Sequence, residues 1–179
     1  MTCIVGLAEG GRVYIGGDSA GTDGDAMTIR ADRKVFRNGE FIMGFTTSFR
    51  MGQLLHHVFT PPKRHPETDV EKFMVGDFIN AVRQCLKDGG YAEKHNEAER
   101  GGAFLVGYAG RLFRIDSDYQ VGEAVDGFDA VGCGEQIAQG ALFANPAGRP
   151  LERLRMALEA AERFSAGVRG PFHFEEASA

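Results

Sequence analysis

A chain that enters a β-hairpin at its second residue has little freedom in what it builds next. Residues 2–8 (TCIVGLA) and 12–17 (RVYIGG) are apolar runs rich in β-branched side chains. They flank Glu9-Gly10-Gly11, where glycine supplies the positive φ that a tight turn needs. Both strands must find further strands or helices to cover them, because an isolated hairpin is marginal in water. The next residues answer that need. A Gly- and Asp-rich stretch, 18–25, reads as a loop, followed by short strands around 26–30, 33–37 and 40–46, with Asn38-Gly39 turning the last pair. The first quarter is therefore expected to be a sheet.

Helical periodicity replaces alternation at Phe49, where Met51, Leu54, Leu55 and Val58 fall on one helix face before Pro61-Pro62. Thr68 and Glu71 have the spacing of a capping box for a second helix. Its stripe of Val70, Phe73, Met74, Phe78, Val82 and Leu86 runs to Gly89-Gly90. The polar stretch 91–102 reads as a loop, followed by strands near 103–108, 111–115 and 119–125. A glycine turn leads into a helix within 132–143, Pro150 opens another, and 170–176 reads as a last strand. Strands, two helices, strands, two helices and a strand fit two stacked sheets with helices on both outer faces, an α+β arrangement. With 179 residues and no linker or repeat, the chain is expected to form one domain, 1–179.

Charge and cysteine usage narrow the function classes. A net charge of −5 with dispersed Lys and Arg offers no footprint for a polyanion, so nucleic acid is not an expected partner. No apolar run is long enough to span a bilayer, and no signal segment opens the chain, so a soluble, cytoplasmic protein without membrane association is expected. Cys3, Cys85 and Cys133 have neither metal-ligand spacing nor an even count, which suits a reducing compartment. Asp18, Asp23 and Asp25 lack the rest of a calcium loop, and His56 and His57 are expected on different helix faces. No metal, nucleotide or other cofactor is expected.

The chemistry starts at Thr2. A side chain this small after Met1 permits removal of the initiator methionine, leaving a hydroxyl and an α-amine on one residue. The amine can take the hydroxyl proton and activate the oxygen, and its ordinary pKa of about 7.7–8.0 suits a base near neutrality. An ammonium such as Lys34 would hold that pKa down, and a carboxylate such as Asp18 would anchor the lysine. Each residue alone has a plain reading: a first-strand threonine, a turn aspartate, a strand lysine. Together they are equally spaced along the chain.

This opening, TCIVGLAEGGRVYIGGDSAGT, resembles the β-type proteasome subunits and the bacterial HslV protease, with Thr2 at the nucleophile, Gly17-Asp18 at the family's GD pair, and Lys34 following. The resemblance covers most of the chain and implies a four-layer αββα sandwich of the N-terminal-nucleophile (Ntn) hydrolase type. It places the Ser48 backbone N–H of GFTTSF (44–49) at the oxyanion position, with Thr46 and Thr47 beside it and Thr22 against extended substrate. It places Gly132-Cys133-Gly134 at the family's GSG turn and Glu162 and Ser165 at its DxxSGG element, which supports the amine. Cys133 for serine, Glu162 for aspartate and Ser48 for glycine depart from the pattern. The implied activity is threonine-type peptide hydrolysis on polypeptide substrate. The implied assembly is a homo-oligomeric ring or spiral, with an ATP-dependent unfoldase as a candidate partner. Two rival readings stand beside it: a catalytically silent assembly subunit, and an Ntn amidohydrolase acting on a small amide.

Overall fold

The computed structural model describes residues 1–91, 93–95 and 98–179, with side chains outside 92–99. The first hairpin forms as its sequence dictates: β1 (Cys3–Glu9) pairs antiparallel with β2 (Arg12–Gly17) around Gly10 and Gly11, both at positive φ. The Gly- and Asp-rich stretch is not all loop. Ala20–Asp23 forms β3 and pairs with β4 (Ala26–Ile29), a small hairpin turned at Gly24. Backbone pairing outweighs the low strand propensity of its glycines. Strands β5 (Val35–Asn38) and β6 (Phe41–Phe45) follow as expected.

Helix α1 (Phe49–His57) buries Met51, Leu54 and Leu55, but Val58 lies past its last turn and is exposed. Phe59, beyond the helix, is buried edge-on against Phe78. His56 and His57 do not diverge; their rings stack 4.0 Å apart, and His56 also stacks on Phe36 at 4.3 Å. The second helical segment is capped by Asp69, not Thr68: the Asp69 carboxylate accepts from Glu71 N (2.8 Å) and Lys72 N (3.2 Å). It runs as α2 (Val70–Phe73), a π-turn over Met74–Phe78, and α3 (Ile79–Asp88). Within 91–102, which reads as a loop, β7 (Glu93–His95) and β8 (Ala98–Arg100) pair; residues 92, 96 and 97 lie outside the described residues.

Strands β9 (Phe104–Tyr108) and β10 (Arg111–Ile115) appear where expected, while the third of that group shrinks to β11 (Val121–Gly122). A further strand, β12 (Phe128–Gly132), carries no alternating pattern strong enough to mark it and leads into α4 (Glu135–Ala144). Helix α5 (Pro150–Phe164) and β13 (His173–Ser178) complete the chain.

The strands form two main sheets, ordered β12-β1-β2-β13 and β11-β10-β9-β6-β5. Ile4, Val13, Ile15, Val35, Ile42 and Leu105 fill the space between them. Cys3, Val5 and Leu7, on the opposite face of β1, pack under α4 and α5. Met43, Phe45 and Val106 pack under α1 and α3. The period-2 alternation of β1 thus serves two cores at once, which is what makes four layers, αββα. Among the described residues no helix is long and apolar enough to cross a membrane.

Candidate active site

Equal spacing of residues 2, 18 and 34 has a topological cause. Each interval is one trip out along a strand and back, first β1–β2, then β3–β4, so the chain returns twice to the same end of the sheets. Asp18 N donates to Cys3 O at that end, and Phe45 N donates to Lys34 O across β5–β6. Lys34 Nζ then donates to both Thr2 Oγ1 and Asp18 Oδ1, each at 2.8 Å. All three side chains are buried, Lys34 and Asp18 almost wholly.

A buried ion pair survives only if its remaining polar positions are satisfied. Asp18 meets that condition with backbone donors: Cys3 N to Oδ1 (3.1 Å), and Ala20 N (3.0 Å) and Arg169 N (3.3 Å) to Oδ2. Burial pushes the Lys34 ammonium below its ordinary pKa, and the neighbouring Asp18 carboxylate opposes that shift. Phe49 closes this side of the cluster: its ring centroid lies 5.8 Å from Lys34 Nζ, and the Arg30 guanidinium stacks on it at 4.1 Å.

Cys133 follows β12, whose Gly132 pairs with Cys3. Thr2 N donates to Cys133 Sγ (3.3 Å), and Sγ lies 3.3 Å from Ser165 Oγ at the C-cap of α5. Gly132 is required here: its φ is +105°, and a Cβ would stand 2.2 Å from Thr2 O. Glu162 is not brought to Thr2. Its carboxylate accepts from Gly170 N (2.9 Å), steadying the segment that sends Arg169 N to Asp18.

Beyond β6, Thr46, Thr47 and Ser48 line a cleft of about 60 Å³ with Thr2, Thr22, Phe45, Phe49 and Met1. Ser48 caps α1 through its side chain, which accepts from Arg50 N (3.1 Å). Its own N–H donates to Thr46 O at 2.8 Å, closing a tight turn over Thr47 at φ +71°. That conformation is uncommon for a β-branched residue. A hydrogen bond from Ala103 N to Thr47 Oγ1 (3.2 Å) holds it. Met1 occupies the approach to Thr2, and Thr2 Oγ1 donates to Met1 O.

The structure therefore gathers Thr2, Asp18, Lys34, Cys133 and Ser165 into one contact network and puts Thr22, Thr46, Thr47 and Ser48 along one cleft. What the sequence left out are the Arg169, Ala20 and Cys3 backbone donors, the aromatic cover of Phe49 and the Ala103 clip. Backbone donors leave no residue signature, so only the fold reveals them.

The four-layer αββα arrangement is the fold seen in HslV-type Ntn-hydrolase structures. Among solved structures the chain is similar to Thiobacillus denitrificans BPH in complex with epoxomicin (TM-score 0.83, 21% identity, 99% of this chain and 98% of that one). It is also similar to Thiobacillus denitrificans BPH alone (TM-score 0.80, 20% identity, 99% and 98%). Eukaryotic HslV from Trypanosoma brucei aligns at TM-score 0.70 with 19% identity, over 99% and 100%. No family model matches the chain, and no curated protein matches it.

Proposed function

We propose that the chain is a threonine-type peptidase of the proteasome and HslV type, acting through Thr2 once Met1 is removed. The observation that carries this reading is the buried Lys34 ammonium held between the Thr2 hydroxyl and the Asp18 carboxylate at 2.8 Å each. A surface role would not bury an ion pair against a hydroxyl. In the mechanism, Thr2 Oγ attacks the peptide carbonyl carbon while its own α-amine takes the hydroxyl proton. The Ser48 N–H, freed from Thr46 O, donates to the tetrahedral oxyanion. The C–N bond breaks, the amine gives its proton to the leaving nitrogen, and water hydrolyses the Thr2 ester. Lys34 favours the neutral amine, Asp18 anchors Lys34, and Cys133 and Ser165 orient the amine.

Extended polypeptide is the substrate that the cleft between β3 and the 46–48 turn would hold by backbone pairing. The complex of Thiobacillus denitrificans BPH with epoxomicin supports the same reading for this chain. The proposal includes a homo-oligomeric ring or spiral in the cytoplasm, fed by an ATP-dependent unfoldase. The test is peptide hydrolysis by the processed protein and two variants. Thr2→Ala should be inactive with an unchanged fold, and Thr2→Ser should retain part of the rate. A Thr2→Ala protein as active as the parent overturns the proposal.

A further inference from the structure

The cleft at Thr2 has one aromatic wall. Phe45 and Phe49 both line it, and their rings meet edge to face with centroids 5.6 Å apart. Phe45 is fixed in the core, whereas Phe49 is only half-buried at the first turn of α1 and needs support from outside. Arg30 supplies it. The guanidinium lies 4.1 Å from the Phe49 centroid, and its Nε and Nη2 donate to the two Asp32 carboxylate oxygens at 2.7 Å each. The stem of Arg30 runs over Gly21 of β3, where an added Cβ would stand 2.9 Å from both Cγ and Cδ. Arg30 does not itself line the cleft, so it backs the ring from the far side. A cation on the ring face, itself fixed by a two-point ion pair, holds Phe49 in one position.

What this wall leaves is small and uncharged. The cleft measures about 60 Å³, whereas a benzene ring binds in a cavity of about 150 Å³. Apart from the two rings and Met1, its lining is Thr2, Thr22, Thr46, Thr47 and Ser48, all neutral. A charged side chain entering it would lose water without meeting an opposite charge. Met1 lines the end beside the Thr2 amine and is more than half exposed, so its removal widens that end and leaves the aromatic wall in place. Lys34 Nζ, which is 2.8 Å from Thr2 Oγ1, is 5.8 Å from the Phe49 centroid. The ring is therefore within one side chain's length of a carbonyl placed at Thr2 Oγ1.

We propose that Phe49 determines the specificity of this cleft, that Arg30 is its positioning residue, and that the favoured substrates are peptides with a small, neutral residue such as alanine at the attacked carbonyl. The inference rests on the peptidase reading and deepens it. An alanine methyl fits beside the ring. A phenylalanine side chain has to displace Phe49, which breaks both the stacking on Arg30 and the edge contact with Phe45.

The test uses two peptides that differ only in carrying Ala or Phe at the attacked carbonyl, each given to the processed parent, Phe49→Ala and Arg30→Ala. Thermal melts establish that the variants are folded. The parent is expected to cleave the Ala peptide with a kcat/KM about tenfold or more above the Phe peptide. In Phe49→Ala that ratio should fall to about two or less, and in Arg30→Ala, where the ring stays but loses its backing, to an intermediate value. A general loss of stability would lower both rates together and leave the ratio alone. If Phe49→Ala does not fold, Arg30→Ala decides. A parent that prefers the Phe peptide or is indifferent, or a ratio that survives in the folded variants, overturns the proposal. If neither peptide is cleaved, the peptidase reading fails by itself, and the wall is judged by binding. Fluorescent forms of both peptides are titrated into processed Thr2→Ala, with and without Phe49→Ala, and followed by anisotropy. The Ala peptide should bind several-fold more tightly only where Phe49 is present, whereas equal binding or none contradicts the wall.

Discussion

At the scale of single residues, the proposed chemistry turns on Lys34. Lys34→Ala should lower kcat/KM by roughly 10²–10⁴-fold, the range that acid–base partners contribute. It also leaves the Asp18 charge buried and unpaired, which costs about 3–5 kcal/mol, so rates must be measured below the variant's melting transition. Lys34→Arg should not restore the rate, because a planar fork cannot replace a compact ammonium that touches two oxygens at once. A Lys34→Arg enzyme as fast as the parent would make Lys34 structural only. The pH profile gives an independent reading. Burial lowers the Lys34 pKa from 10.5, so the ammonium is lost as pH rises through the lowered value. The alkaline limb of kcat/KM should therefore begin below pH 10.5, and it should disappear from the residual activity of Lys34→Ala. Thr2, Asp18 and Lys34 were legible because each is a side chain with its own chemistry at a fixed interval. The partner of Glu162 is not legible in this way. A carboxylate near the end of α5 can face the amine or the returning loop, and only the fold shows it on Gly170 N.

At the scale of elements, most of the helices and long strands could be read from apolar periodicity, and the failures have physical causes. β3 was hidden by Gly21 and its acidic neighbours, since its stability comes from pairing with β4 rather than from its own residues. β12 was hidden because its outer positions are half-buried, which blurs alternation. The start of α2 was placed one residue early because Thr68 and Glu71 mimic a capping box, while the carboxylate that meets the free N–H groups is that of Asp69. This last point can be measured. Asp69→Ala should lower the melting temperature by about 2–4 °C, and Thr68→Ala should leave it nearly unchanged. The reverse order would restore Thr68 as the cap.

At the scale of the whole molecule, little of the apolar surface that a ring would bury lies on α1. Phe59 is in the core and Phe49 is half-buried, leaving Val58 there. Phe143 on α4 and Phe164 at the end of α5 are about three-quarters exposed and provide apolar area on the other outer layer. Repetition of one heterologous contact through such surfaces closes a ring. Light scattering coupled to size exclusion should give roughly six or more subunits, and a 19.4 kDa species would contradict assembly. Replacing Phe143 and Phe164 by serine should shift the assembly toward smaller species without unfolding the chain. On the proposed reading, the chain carries a free, nucleophilic Thr2 after loss of Met1. Intact mass after incubation with a peptide epoxyketone tests it most directly. The expected product is a chain lacking Met1 that has gained the mass of one probe, with no gain in Thr2→Ala. A processed chain that stays unmodified, or a label that persists in Thr2→Ala, would contradict it.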